Sequence, residues 1–216
     1  MEKLYYIDQY IKEFTADIIE IKEIDSKFHV KLDKTAFFPG GGGQFCDLGT
    51  IDVHNVIDVY EEKGEVYHIL ENKPIKLKKV KCSIDWNRRE DGMHQHFAQH
   101  VLSGCFYNLF KSNTVSFHLG QESSTVDIQG ILSEEQIREA ELYANRVISE
   151  DIKLEVLTPS KKDLNKIDSM RFIYTKPSFL RDDKKESRQY YIDNNSIFGN
   201  DYEIKLGGEK RDVAVM

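Results

Sequence analysis

The sequence predicts an α+β protein, with a β-rich part ending near residue 82 and a mixed α+β part after it. Three observations carry this expectation. Short clusters of β-forming residues repeat through residues 14–32 and 50–82, separated by turn residues such as Lys63-Gly64 and Asn72-Lys73-Pro74. From Asp85 onward the apolar residues recur every three or four positions, which is the period of a helix. Four consecutive glycines, Gly40 to Gly43, interrupt the β region and read as a surface loop, since a packed strand interior would not carry four residues without side chains.

The expected strands are Ala16 to Ile21, Phe28 to Leu32, Val53 to Tyr60, Glu65 to Leu70 and Val80 to Ile84, a spacing that suits a small barrel or sandwich. A helix is expected over 87–110, started by Asn87 with Glu90 three residues on and lined by Met93, Phe97, Val101, Leu102, Cys105, Phe106 and Leu109. His96 and His100 flank that stripe, on an edge continued by Ser103 and Tyr107. Phe117 to Leu119 and Thr125 to Ile128 read as a hairpin. Ser133-Glu134-Glu135-Gln136 caps a second helix to about residue 149, with Ile137, Ala140, Ala144, Val147 and Ile148 inward. A strand over Lys153 to Leu157, a short helix from Ser160 and strands near 170–174 and 188–192 complete the expectation.

Composition narrows the class. The 216 residues suffice for a sizeable core in one large or two small domains. A hydrophobic fraction of 40% excludes disorder, and 31% charged residues without a long apolar run exclude a membrane span. The start lacks a signal-peptide core, so a cytoplasmic location is expected. Cys46, Cys82 and Cys105 are odd in number and widely spaced, which argues against a disulfide framework. A net charge of −7 argues against a general nucleic-acid binder but leaves room for a local basic patch.

The chemistry concentrates in His96-Phe97-Ala98-Gln99-His100. Imidazoles four residues apart on a helix share one face and can converge on one divalent metal, most often zinc. The alternative is a polar helix edge satisfied by backbone or water. The glycine run lacks the Gly-Lys-Ser/Thr of a P-loop, so ATP is not expected. No local nucleophile motif marks a catalytic serine, and no catalytic residue is assigned.

Together these landmarks resemble the editing domain shared by alanyl-tRNA synthetases and the free-standing AlaX trans-editing proteins. Leu32 to Pro39 with Gly42-Gly43-Gln44 and Asp47-Leu48-Gly49 is similar to that family's glycine-rich segment. Asp85-Trp86-Asn87-Arg88-Arg89, Met93 and His96 to His100 resemble its metal-binding helix, with Phe97 where a threonine is usual. Ser116 to Gly120, Ser124 to Ile128 and Ala144 to Ile148 follow in the family's order, so the resemblance covers most of residues 1–175.

The resemblance implies a translation-factor-like β-barrel carrying the glycine-rich loop over 1–82, then an α+β editing domain with the metal helix over 83–216. It implies hydrolysis of the ester joining serine or glycine to tRNA for alanine, acting in trans. Such a second sieve is physically sensible, because a methylene distinguishes substrates by only about 1–3 kcal/mol. A metal at His96 and His100 would polarise the ester, activate water or hold the terminal adenosine and amino group; these alternatives stay open. Thr35 would read the substrate side chain through its hydroxyl, or else cap its own backbone. Gln44 would offer an amide to the ester or to water, and Gly41, Gly42 and Gly43 would admit the adenosine or make a tight turn. Lys78, Lys79 and Lys81, with Arg88 and Arg89, are the expected tRNA phosphate contacts; a solvated strand edge is the plainer reading of the lysines.

The C-terminus departs from the family. Its metal site is completed by a cysteine and a histidine in a Cys-Gly-Gly-Thr-His motif, whereas here the corresponding region reads Leu206-Gly207-Gly208-Glu209-Lys210. No cysteine follows Cys105 and no histidine follows His118. The end therefore reads as shortened or degenerate, in preference to a shell completed by Cys46, Cys105, His118 or a carboxylate, and zinc as weakly bound or absent. Cys105, nine residues past His96, is expected in the core instead. The alternative function is a degenerate tRNA-binding relic.

Overall fold

The computed structural model describes residues 1–120 and 123–150, together with the backbone of 187–193. The chain divides into two compact units, Met1–His96 and Phe97–Met216.

The first unit opens with β1 (Glu2–Lys3), a 3-10 turn at Leu4–Tyr6, β2 (Glu13–Ala16), β3 (Ile18–Ile24), β4 (Lys27–Leu32) and β5 (Lys34–Thr35). It continues with β6 (Gly49–Ile51), β7 (His54–Glu62), β8 (Glu65–Leu70) and β9 (Val80–Ile84). Seven of these form one antiparallel sheet in the order β2-β9-β6-β7-β8-β4-β3, while β1 pairs in parallel with β5. Period two decides which face is buried. Val80, Cys82 and Ile84 point inward from β9 between Lys81 and Ser83, and Val30 and Leu32 do so from β4. With Phe37, Ile51, Val56, Val59, Val66 and Leu70 they make the core.

The edge strands β2 and β3 are consecutive in sequence, joined by Asp17 alone. A flat seven-stranded sheet would separate its edges by about 29 Å, at roughly 4.8 Å per strand, whereas one linking residue spans only about 7 Å. The sheet therefore curls until its edges meet at Asp17, whose N–H donates to Asp33 Oδ1 at 2.7 Å and whose carbonyl accepts from the Asp33 N–H at 2.9 Å. No ladder joins β2 to β3 among the described residues, so the expected barrel is an open, curled sheet.

Helix α1 (Trp86–Phe110) starts in the first unit and ends in the second. Its cap is Asp85 rather than Asn87: Asp85 Oδ1 accepts from the Arg88 N–H at 3.3 Å, and Asn87 stands inside the first turn. The second unit adds β10 (Thr114–His118), β11 (Ser123–Gln129), α2 (Glu134–Ser149) and β12 (Ser187–Asp193), with β11 between β10 and β12 in an antiparallel sheet. Ser133 and Gln136 form the expected capping box of α2. Leu102, Cys105, Phe106, Val126, Ile128, Ala140 and Ala144 form this unit's core. Cys105 packs there as expected, whereas Phe97, read as inward, is half exposed. The elements expected over Lys153 to Leu157, at Ser160 and near 170–174, and the Leu206 to Lys210 segment, lie outside the described residues. Among the described residues no helix is long and apolar enough to cross a membrane.

Candidate functional site

The glycine run closes into a tight turn. The Gly41 N–H donates to the Gln44 carbonyl at 2.9 Å, and the Gln44 N–H donates back to Gly41 at 3.1 Å. Gly42 and Gly43 between them hold φ of 62° and 92°, the left-handed backbone that a two-residue turn of this kind demands and glycine adopts without strain. The turn thereby delivers the Gln44 side chain to α1. Its Oε1 accepts from His96 Nδ1 at 3.1 Å, and a Cβ built on Gly42 would lie 3.9 Å from His96 Cε1.

Further bonds hold this loop in place. Phe38 and Asp47 clasp its base, each backbone N–H donating to the other residue. Arg89 then ties the base to α1: its Nε donates to Asp47 Oδ1 at 2.8 Å, and its Nη2 pairs with Asp47 Oδ2 and donates to the Ala36 carbonyl at 2.7 Å. Its Nη1 donates to the Gln9 carbonyl at 2.7 Å. With only 3% of its surface exposed, Arg89 is a strut inside the unit and not the surface phosphate contact that the sequence suggested. Sequence reasoning placed Asp47 in the glycine-rich segment but gave it no role, since an acidic residue after a glycine loop carries no local sign of a partner 42 residues away.

Thr35 is fully buried at the end of β5. Buried His68 on β8 donates from Nδ1 to the Val30 carbonyl at 3.0 Å, so its Nε2 accepts the Thr35 hydroxyl proton at 2.8 Å. The Phe37 N–H donates to the same hydroxyl at 3.1 Å, which is the local backbone bond of the plainer reading. Burial pushes the His68 imidazole down to about 4, so it stays neutral in this network. A lone histidine in a strand gave no sequence signal for this role.

The basic residues separate into two groups. Lys78 pairs with Asp17 at 3.0 Å, Lys81 with Glu13 at 3.0 Å and Lys76 with Asp52 at 3.5 Å. The Lys79 N–H, followed by Lys78, holds the Asp17 carboxyl below the usual carboxylate range. Lys79 itself is exposed, with no carboxylate partner among the described residues. Arg88 is half-buried, its guanidinium 4.0 Å from the Phe45 ring centre and its Nε donating to the Cys46 carbonyl at 3.0 Å.

Because Gln44 Oε1 can only accept, His96 donates to it from a protonated Nδ1. Such a ring suits a metal ion, whose histidine ligands donate their other N–H to a fixed acceptor. One turn on, His100 is held below the ordinary histidine value by desolvation, again favouring the neutral, ligating form. Two imidazoles are nevertheless short of the three protein ligands of a catalytic zinc site. No group of three histidine, cysteine, aspartate or glutamate side chains able to hold a metal occurs among the described residues. The described donors do not by themselves fit a zinc centre, and no reaction step is assigned to one.

No family model matches the chain. Relatives do. It is 34% identical over 163 residues to alanyl-tRNA editing protein AlaX-M of Saccharolobus solfataricus, covering 72% of this chain and 67% of that one. It is 33% identical over 159 residues to AlaX-L of Pyrococcus horikoshii, covering 70% of this chain and 39% of the relative. It is 31% identical over 170 residues to alanyl-tRNA editing protein Aarsd1 of Mus musculus, covering 72% and 41%. The match thus spans about two-fifths of the longer relatives and two-thirds of AlaX-M. At that identity and coverage, the chain belongs to the alanyl-tRNA editing protein family.

Proposed function

We propose that this protein hydrolyses the ester linking serine or glycine to tRNA for alanine, acting in trans in the cytoplasm. Water adds to the ester carbonyl, the amino acid leaves as its carboxylate, and the terminal ribose hydroxyl of the tRNA is restored. The Gln44–His96 pair beside the glycine turn carries this reading, because it sets an amide and an imidazole against a backbone without side chains. Gly41, Gly42 and Gly43 would admit the terminal adenosine closely. Selection is left with Thr35, whose oxygen keeps one lone pair for a serine hydroxyl where alanine offers nothing; a side chain reaching it must displace the cover of a buried site. Lys79 and Arg88 would meet phosphates of the acceptor stem, with Lys78 and Lys81 held by their carboxylates and Arg89 supporting the loop. Zinc at His96 and His100 would supply Lewis-acid chemistry, and the lack of a third donor among the described residues favours weak binding.

That same shortage favours a second reading, a tRNA-binding relic without hydrolysis. Incubation with seryl-, glycyl- and alanyl-tRNA, with and without added zinc, separates the two. Release of serine or glycine but not alanine, reduced by His96→Ala, is the expected result. Tight tRNA binding with no release from any substrate establishes the relic instead.

A further inference from the structure

Gly92 lies on α1 one turn before His96. Within a helix, glycine is a poorer choice than alanine, so the helix does not account for it. Space does. A Cβ at this position would stand 3.0 Å from Phe45 Cε2 and 3.2 Å from both Phe45 Cζ and Gln44 Nε2, closer than such atoms ordinarily approach. The Gln44 amide therefore lies across one turn of the helix, with Nε2 over Gly92 and Oε1 on His96 Nδ1. Arg88, Gly92 and His96, spaced by four, rise along one helical face. Arg88 meets the Phe45 ring, Gly92 meets Phe45 and Gln44, and His96 meets Gln44.

The geometry points to Gly92 as a positioning residue: its missing side chain is the seat that brings Gln44 into register with His96. A methyl group here must push the loop side chains outward by a few tenths of an ångström. The bond at 3.1 Å from His96 Nδ1 to Gln44 Oε1 then lengthens. The consequence for rate rests on the editing reading above; the consequence for this bond does not.

Gly92→Ala tests this in the full chain, kept metal-free for spectroscopy. Nitrogen-15 histidine spectra are expected to show the His96 Nδ1–H resonance moved in the variant, as its bond to Gln44 lengthens. The kcat for seryl-tRNA deacylation falls about tenfold with KM little changed, while the melting temperature stays close to that of the parent, because the better helix propensity of alanine offsets the crowding. Adding Phe45→Ala, which removes the ring the new methyl meets, restores part of the parent resonance position. An unchanged His96 Nδ1–H resonance in Gly92→Ala overturns the proposal. So does a rate loss that merely tracks a fall in melting temperature. A parent protein that deacylates nothing sinks the editing reading alone, and the ring spectra still decide the part played by Gly92.

Discussion

His68 illustrates how a single buried side chain ties the candidate pocket to the stability of the curled sheet. It sits with no exposed surface between the Val30 carbonyl and the Thr35 hydroxyl, and desolvation, opposed by the backbone bond, lowers its pKa to about 4. The unfolded chain takes up a proton near 6.5 and the folded chain only near 4, so acid favours unfolding between those values. Its contribution is whole above pH 6.5 and declines on acidification through that window. At 1.36 kcal/mol per unit this amounts to about 3 kcal/mol. Urea unfolding of the parent at pH 7 and pH 4.5 should therefore differ by about 2–3 kcal/mol more than the same pair of measurements on His68→Gln. Equal pH dependence in the two proteins would show that the imidazole is not held neutral by burial. Thr35 was legible from the sequence as a polar residue at a strand end. Its histidine partner, 33 residues on, was not, because a contact of that separation leaves no local pattern.

At the scale of elements, sequence period found the larger pieces because burial imposes it. Val80, Cys82 and Ile84 alternate on β9, and the Ser133–Gln136 capping box opens α2 where the residue types demanded. The very short strands β1, β5 and β6 escaped, since two or three residues cannot display a period. The start of α1 was misplaced for a chemical reason. Asn87 and Glu90 match a capping box as well as residue types can, yet Asp85 two residues earlier is the side chain that reaches an orphan N–H. The same helix buries Gln95 and Gln99, polar residues that a purely apolar stripe omits and that internal bonds to Asp91 and Ser103 make tolerable. The cap assignment is open to a direct comparison. Asp85→Ala should cost about 1 kcal/mol in urea unfolding, while Asn87→Ala, an exposed first-turn change, should stay within about 0.5 kcal/mol. A larger loss at Asn87 than at Asp85 would return the cap to its sequence-predicted place.

For the whole molecule, the question is how a chain of net charge −7 would hold the polyanion proposed for it. The resemblance and the motif order made tRNA the natural partner, but sequence could not say which cations are spare, because pairing is a property of the folded sheet. Lys76, Lys78 and Lys81 each face a carboxylate across neighbouring segments, so the ribbon that looked most basic is largely neutralised. Arg89 is enclosed by Asp47 and backbone carbonyls. Of the expected phosphate contacts, Arg88, stacked on Phe45 beside Gln44, and the exposed Lys79 remain, and Lys12, whose ammonium lies 4.2 Å from the Trp86 ring centre, joins them. Each phosphate contact releases roughly one counterion, so the slope of log affinity against log salt counts the cations engaged. Three such contacts predict a slope of about −2 to −3 for tRNA binding, and Arg88→Ala should make it shallower by about one. Lys78→Ala should leave the slope nearly unchanged, because its ammonium already answers to Asp17. If the slope instead exceeds about 5 in magnitude and Lys78→Ala or Lys81→Ala reduces it, the paired lysines exchange their carboxylates for phosphates on binding, and the β9 ribbon is the tRNA surface after all.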